Sequence, residues 1–96
     1  MLEQVKLALR ISGDVFDAEL SGLIAAAKKD LQAGGVTEPE AGWEQDPLSA
    51  RAIITYCKAH WGEPEWRQYD RLKAAYDEQK AQMGMREGYT VWTAAT

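Results

Sequence analysis

The stretch DPLSARAIITYCKAHWGEPEW, residues 46–66, decides the fold because it contains both ends of a central helix. Asp46 is a favourable N-cap, and Pro47 fits the first helical position, where the amide has no intrahelical partner. Gly62 and Pro64 supply the stop signal. Apolar or aromatic positions recur between these ends at helical spacing: Leu48, Ala52, Ile53, Tyr56, Cys57 and His60 or Trp61. The stretch predicts one packed helix over residues 47–61.

Two helices are predicted before this stretch. A short amphipathic pattern at the N-terminus comprises Leu2, Val5, Leu9 and Ala8. Asp14 is the expected N-cap of a second helix, from about Val15 to Ala33, and the pair Gly34 and Gly35 is expected to end it in a left-handed conformation. The apolar face of this second helix is predicted to contain Phe16, Leu20, Leu23, Ile24, Ala27 and Leu31.

Residues 36–45, VTEPEAGWEQ, have no sustained period and contain a proline and a glycine, so they predict a long loop before the third helix. Loops of this length in a small domain are often functional or lie at interfaces. Its large aromatic, Trp43, is predicted either to cover the core as a lid or to contact a neighbouring subunit.

A fourth helix is predicted from about Pro64 to Met83. Its stripe mixes aromatic and apolar positions with charged neighbours: Trp66, Tyr69, Leu72 or Lys73, Tyr76 and Met83. Such a face suits an interface that assembly buries better than a deep monomer core. Residues 84–96 break the helical period, and their Tyr89 and Trp92 fit an extended tail that docks on a partner.

These elements predict an all-α fold: a small bundle of about four helices with a long loop before helix 3 and an extended C-terminal tail. The 96 residues fit one domain, residues 1–96, with a helical body over 1–83 and a tail over 84–96. No run of about 18 apolar residues is present, so we expect no membrane span. The single cysteine favours a reducing compartment, and the chain is expected in the cytoplasm.

Cys57 and His60 lie three residues apart, on one side of the predicted helix, as a nucleophile and its base would. Packing explains them better, because cysteine is often buried and no second cysteine or nearby acid completes a zinc site. The sequence also lacks the common phosphate-binding and hydrolase motifs. We therefore predict no enzyme, no metal and no cofactor, and a thiol enzyme using Cys57 is the remote alternative.

The charge balance argues against binding to nucleic acid. Fifteen acidic and 11 basic residues give a formal net charge of -4, and the basic residues form no cluster. A helix-turn-helix is also excluded, because the connection between Gly34 and Pro47 is much longer than the tight turn of that motif. An acidic surface would nevertheless allow DNA to pass without holding it.

Several blocks follow one another in a characteristic order: LEQVKLALRISGDVFDAELSGLIAAAKKDLQAGGV, then DPLSARAIITYCKAHWGEPE, then YDRLKAAYDEQKAQMG followed by EGYT. In this order they resemble the small head-tail connector (adaptor or DNA-packaging) proteins of tailed double-stranded-DNA phages and prophages. The resemblance extends to about Thr90. The final VWTAAT matches no block, and His60 and Trp61 stand where the pattern has smaller side chains.

The resemblance implies a helical, non-enzymatic subunit of a closed ring of about 12 or 13 copies. The implied partners are other copies of the chain, the portal protein and a downstream neck or tail-completion protein. The ring would lie in the virion neck, after assembly in the host cytoplasm. It would extend the channel so that DNA passes without sequence-specific binding, with no cofactor and no membrane.

Such a ring needs two different complementary patches on each subunit. We expect the aromatic stripe of helix 4 to form one patch and the Trp43 loop to form the other. Arg51 matches the arginine of the DPL..RAI block and either pairs with an acid on its own or a neighbouring subunit or is an exposed arginine of little energetic weight. The candidate interface residues are Trp43, Arg51, Trp66, Tyr69, Tyr76, Tyr89 and Trp92. The alternative function is a small helical binding or regulatory module that acts through its C-terminal tail.

Overall fold

The computed structural model describes residues 1–62 and 65–84. Within these ranges the chain forms four helices: α1 (Leu2–Leu9), α2 (Asp17–Ala33), α3 (Pro47–His60) and α4 (Trp66–Gly84). The described residues contain no β-strand, which confirms the predicted all-α fold class. The predicted tail, with Tyr89 and Trp92, lies outside the described residues.

Helix α3 is the centre of the bundle because it packs against each of the other three helices. The core is built around its buried face, to which Ile53 and Cys57 contribute fully buried side chains. Burial of a side chain the size of Leu or Ile stabilises the fold by about 1.5–3 kcal/mol. The buried apolar cluster contains Val5, Leu20, Ile24, Ala27, Leu31, Val36, Trp43, Ala52, Ile53, Cys57, Tyr76 and Met83.

The ends of α3 confirm the capping signals. The backbone N–H of Ser49 donates a 2.9 Å hydrogen bond to Oδ2 of Asp46, and Pro47 occupies the first helical position. This bond satisfies one of the amides that an α-helix leaves without a partner at its start. The helix ends at His60, and Gly62 has a φ of +66° that favours glycine.

The end of α2 also agrees with the prediction. The N–H of Val36 donates to the carbonyl of Leu31 at 2.9 Å, and that of Gly35 donates to the carbonyl of Gln32 at 3.0 Å. These two bonds form the Schellman motif, in which the residue after the C-cap is left-handed. Gly35 takes that position with a φ of +91°. The buried side chains of Val36 and Leu31 complete the motif's usual apolar pairing.

The predicted start of α2 was wrong. Asp14 is not the N-cap, because its backbone carbonyl accepts from the N–H of Asp17 at 3.2 Å in a turn before the helix. The N-cap is Phe16, which makes no side-chain capping bond. Phe16 is also 45% exposed and does not join the buried face that its spacing predicted. The corner between α1 and α2 is instead closed by a 2.9 Å ion pair between Lys6 and Asp17.

Helix α4 begins at Trp66, slightly after the predicted start near Pro64, and that proline lies outside the described residues. It runs antiparallel to α3 along most of its length, as the short connection between the two requires. Among residues 1–62 and 65–84, no helix combines the length and the apolar character that a membrane span needs.

Candidate assembly surfaces

The pair Cys57 and His60 does not form a site. Cys57 is fully buried, and burial raises the pKa of its thiol to about 11, so the reactive thiolate is scarce at neutral pH. His60 is exposed, which corrects the prediction that it fills space in the core. Its ring lies 4.2 Å from that of Tyr56 and 5.9 Å from that of Tyr69, centroid to centroid.

A metal site is absent from the part of the chain that the structure describes, since no three His, Cys, Asp or Glu residues there lie together in a way that would hold an ion. The acidic residues mostly point to solvent or pair with lysines. Lys73 and Asp77, for example, form an exposed 3.0 Å ion pair one turn apart on α4.

The aromatic stripe of α4 divides into two parts. Tyr76 and Met83, towards its C-terminal end, are buried in the monomer, and Tyr69 is partly buried. Trp66, at the start of the helix, is 65% exposed, with the guanidinium of Arg67 5.1 Å from its ring centroid. Of this stripe, the part around Trp66 is what a partner could reach.

The buried end of the stripe is fixed by a polar cluster between α2 and α4. The hydroxyl of Tyr76 donates a 2.6 Å hydrogen bond to Oδ2 of Asp30, and Nζ of Lys80 lies 3.2 Å from the same oxygen. Burial alone would raise the pKa of Asp30, but these two donors outweigh burial and lower it. Burial and the bond to Asp30 together raise the pKa of Tyr76 well above its usual value.

The Trp43 loop is anchored from inside. Trp43 is only 6% exposed, so its ring covers the core as a lid, one of the two roles predicted for it. Its backbone carbonyl accepts a 2.7 Å hydrogen bond from Oγ of Ser49, a fully buried serine on α3. Pro39 is buried too, and its carbonyl accepts from the N–H of Gly42 at 2.8 Å to close a turn. The loop thus presents a defined outer surface.

Large apolar side chains are exposed near one end of the bundle, where α1 ends and α2 begins. Leu7 is 81% exposed and Val15 is 84% exposed, beside the half-exposed Phe16. The ring of Phe16 meets that of Trp61 edge to face, with centroids 5.1 Å apart. A contiguous patch of exposed apolar side chains, unlike single ones, is typical of a surface that another protein covers.

Two hollows, of about 260 and 470 Å³, lie along the seam between α3 and α4, the first towards the start of α3 and the second towards its end. The first is lined by Leu48, Arg51, Ala75, Glu78, Gln79, Gln82 and Met83, and the second by Ala8, Leu9, Arg10, Lys58, Trp61, Gln68 and Leu72. We call this surface the α3–α4 groove.

Arg51 lies in this groove and is exposed, without an ion pair to any described residue. The predicted interface residues therefore differ in accessibility. Arg51 and Trp66 are exposed, and Tyr69 is partly exposed. Trp43 and Tyr76 are buried and support the surface from inside. Sequence reasoning missed the exposed Leu7 and Val15: Leu7 follows Lys6 and lies off the apolar stripe of α1, and Val15 follows Asp14 in the turn before α2.

The family model described as phage connector protein matches residues 1–90. No curated protein and no solved structure matches the chain. The family gives the chain a structural role in the connection between phage head and tail, in assembly with other head and tail proteins. Because the match covers nearly all of the sequence, this chain belongs to the phage connector protein family.

Proposed function

We propose that the protein is a subunit of a closed ring that attaches below the portal, extends the DNA channel and joins the filled head to the tail. The observation that carries this proposal is the connector-family match over residues 1–90. A ring of about 12 or 13 identical copies would be held by one repeated head-to-tail contact. The role is structural, and it requires no catalytic residue and no cofactor.

The described surfaces support such an assembly. Leaving Leu7, Val15 and Trp66 in water is unfavourable, and covering apolar surface gains about 25 cal/mol per Å². The exposed start of α4, with Trp66 and Tyr69, is our candidate for one contact of the subunit. The outer surface of the Trp43 loop is the candidate for a second.

Tyr76 and Trp43 would act in this scheme by holding the two surfaces in shape. Tyr76 ties α4 to α2 through Asp30, and Trp43 seats the loop on the core. Tyr89 and Trp92 remain candidates for a contact between the tail and a neighbouring protein. The neighbours expected on the two faces of the ring are the portal and a neck or tail-completion protein.

The charge of the chain fits a channel that DNA traverses. A net charge of -4 provides little attraction for phosphates, so the subunit would line or support a channel without binding the duplex. We expect the ring to reside in the virion neck after its assembly in the host cytoplasm.

Light scattering on the purified chain across a concentration series, alone and with the purified portal protein, tests the proposal. We expect rings of about a dozen copies, visible by negative-stain imaging. The variant Trp66→Ala should remain folded and assemble less well, whereas Lys29→Ala, an exposed position on α2, serves as the matched control. A chain that stays monomeric both alone and with the portal would contradict the ring.

A further inference from the structure

The α3–α4 groove concentrates positive charge in an acidic protein. Arg51 and Lys58 are exposed and lie seven residues apart, on the same face of α3 and about 10 Å apart along its axis. Arg10 joins Lys58 in the second hollow. None of these three cations forms an ion pair with a described residue. Glu78 is the acid that lines the first hollow, where its carboxylate accepts from the side-chain amide of Gln82 at 3.5 Å.

The rest of the first hollow is lined by uncharged polar and apolar side chains beside Glu78. Gln79 and Gln82 lie there together with Arg51. The groove thus offers its cations to a ligand that carries carboxylates.

The Trp43 loop, residues 36–45, has the complementary composition, with three acidic residues and no basic one. Glu44 pairs with the N-terminal ammonium group at 2.9 Å, which leaves the other two carboxylates for a partner. Glu38 and Glu40 are exposed on either side of the buried Pro39, so the anchored loop holds their carboxylates outward. Glu38 lies just before the turn that Pro39 and Gly42 close, and Glu40 lies within it; the long side chains of arginine and lysine can adapt to the spacing of these carboxylates.

We propose that the α3–α4 groove of one copy binds the Trp43 loop of a second copy, with Arg51 and Lys58 facing Glu38 and Glu40. The inference rests on the proposed ring and names the pair of surfaces that would build it. The two surfaces are different and complementary, which is the head-to-tail geometry that a ring requires.

Charge reversal tests the pairing on the full chain, with sedimentation velocity as the measure of self-association. The groove variant Arg51→Glu/Lys58→Glu and the loop variant Glu38→Lys/Glu40→Lys should each weaken association about tenfold or more at low salt. The chain with all four changes restores opposite charges and should return to within about threefold of the original. As a control, Ala25→Glu/Lys29→Glu adds negative charge on the exposed face of α2 and should have little effect.

A cross-link gives a second readout that weak association does not obscure. In a Cys57→Ala background, a Glu40→Cys chain is mixed with a Lys58→Cys chain and a short bismaleimide reagent, because a direct disulfide would need the two Cα atoms closer than a lysine–glutamate pair holds them. A cross-link between the two different chains is expected. With a Lys29→Cys chain in place of the Lys58→Cys chain, no cross-link should form.

The outcomes separate this inference from the ring itself. Suppose that the original chain assembles. If the two charge-reversed double variants then assemble equally well, or if the quadruple variant is as weak as either double variant, the pairing is wrong and the ring stands. If the original chain does not assemble even with the portal, the ring proposal fails and the pairing fails with it. Restored self-association of the quadruple variant, together with the specific cross-link, supports the pairing.

Discussion

The hydroxyl of Tyr76 donates a 2.6 Å hydrogen bond to Oδ2 of Asp30, joining two helices across 46 positions of sequence. Tyr76→Phe leaves the aromatic ring in the core but removes one of the two hydrogen-bond donors to the Asp30 carboxylate. We expect a loss of about 1 kcal/mol in the free energy of unfolding, which urea denaturation would measure. Tyr69→Phe is the control, because the Tyr69 hydroxyl makes no hydrogen bond within the described residues, and an equal loss there would contradict the assignment.

The lowered pKa of Asp30 predicts how this contact responds to acid. A carboxyl whose folded pKa is depressed contributes stability above its unfolded pKa, near 4, and loses it as the pH falls through the folded value. We therefore compare the free energy of unfolding of the original chain with that of Asp30→Asn. At pH 7 the difference should be about 1 kcal/mol or less, because the Asp30 carboxylate is half-exposed. Below pH 4 this difference should shrink. A difference that stays constant down to pH 2 would show that Asp30 acts through packing alone.

Two glycines of similar exposure should respond in opposite directions to alanine. Gly35 has a φ of +91° in the cap of α2, so Gly35→Ala should destabilise the fold by about 1–2 kcal/mol. Gly22 lies within α2, with open space where a Cβ would project, so Gly22→Ala should stabilise it by about 0.5–1 kcal/mol. Thermal unfolding of the two variants checks the signs. A gain from Gly35→Ala would mean that the Schellman cap does not form.

The Cys57 thiol should be nearly inert in the folded chain. Burial excludes reagents, and a pKa of about 11 keeps the thiol protonated at neutral pH. We expect a chromogenic disulfide reagent to react on the timescale of unfolding, and to react at once in 6 M guanidinium. Rapid reaction in buffer would contradict the buried position. A serine hydroxyl at this buried position would replace a thiol that packs among apolar side chains. Cys57→Ser should therefore also lower the free energy of unfolding by about 1–3 kcal/mol.

The sequence predicted the helices well because their ends are set by local chemistry. Asp46 and Pro47 begin α3, and Gly35 ends α2, through contacts within a few residues. The start of α2 was misplaced because a long-range partner intervenes: the ion pair of Lys6 with Asp17 closes the corner, while Asp14 contributes only its backbone carbonyl. Capping patterns do not encode such tertiary contacts.

The candidate surfaces were harder to predict than the helices. Periodicity shows that Trp66 and Tyr76 share a stripe, but it does not show which part of that stripe α2 covers, since the covering contact comes from Asp30. The groove cations were visible in principle, because Arg51 and Lys58 are seven residues apart on one helix. Whether these cations line a groove depends on α4, which forms its other wall.

The hydrogen bond from Ser49 to the carbonyl of Trp43 has a mechanical consequence. Together with the buried rings of Trp43 and Pro39, it ties the loop to the first turn of α3. A force that a partner applies to the loop would pass through these contacts into the central helix, and from there to the helices that pack against it.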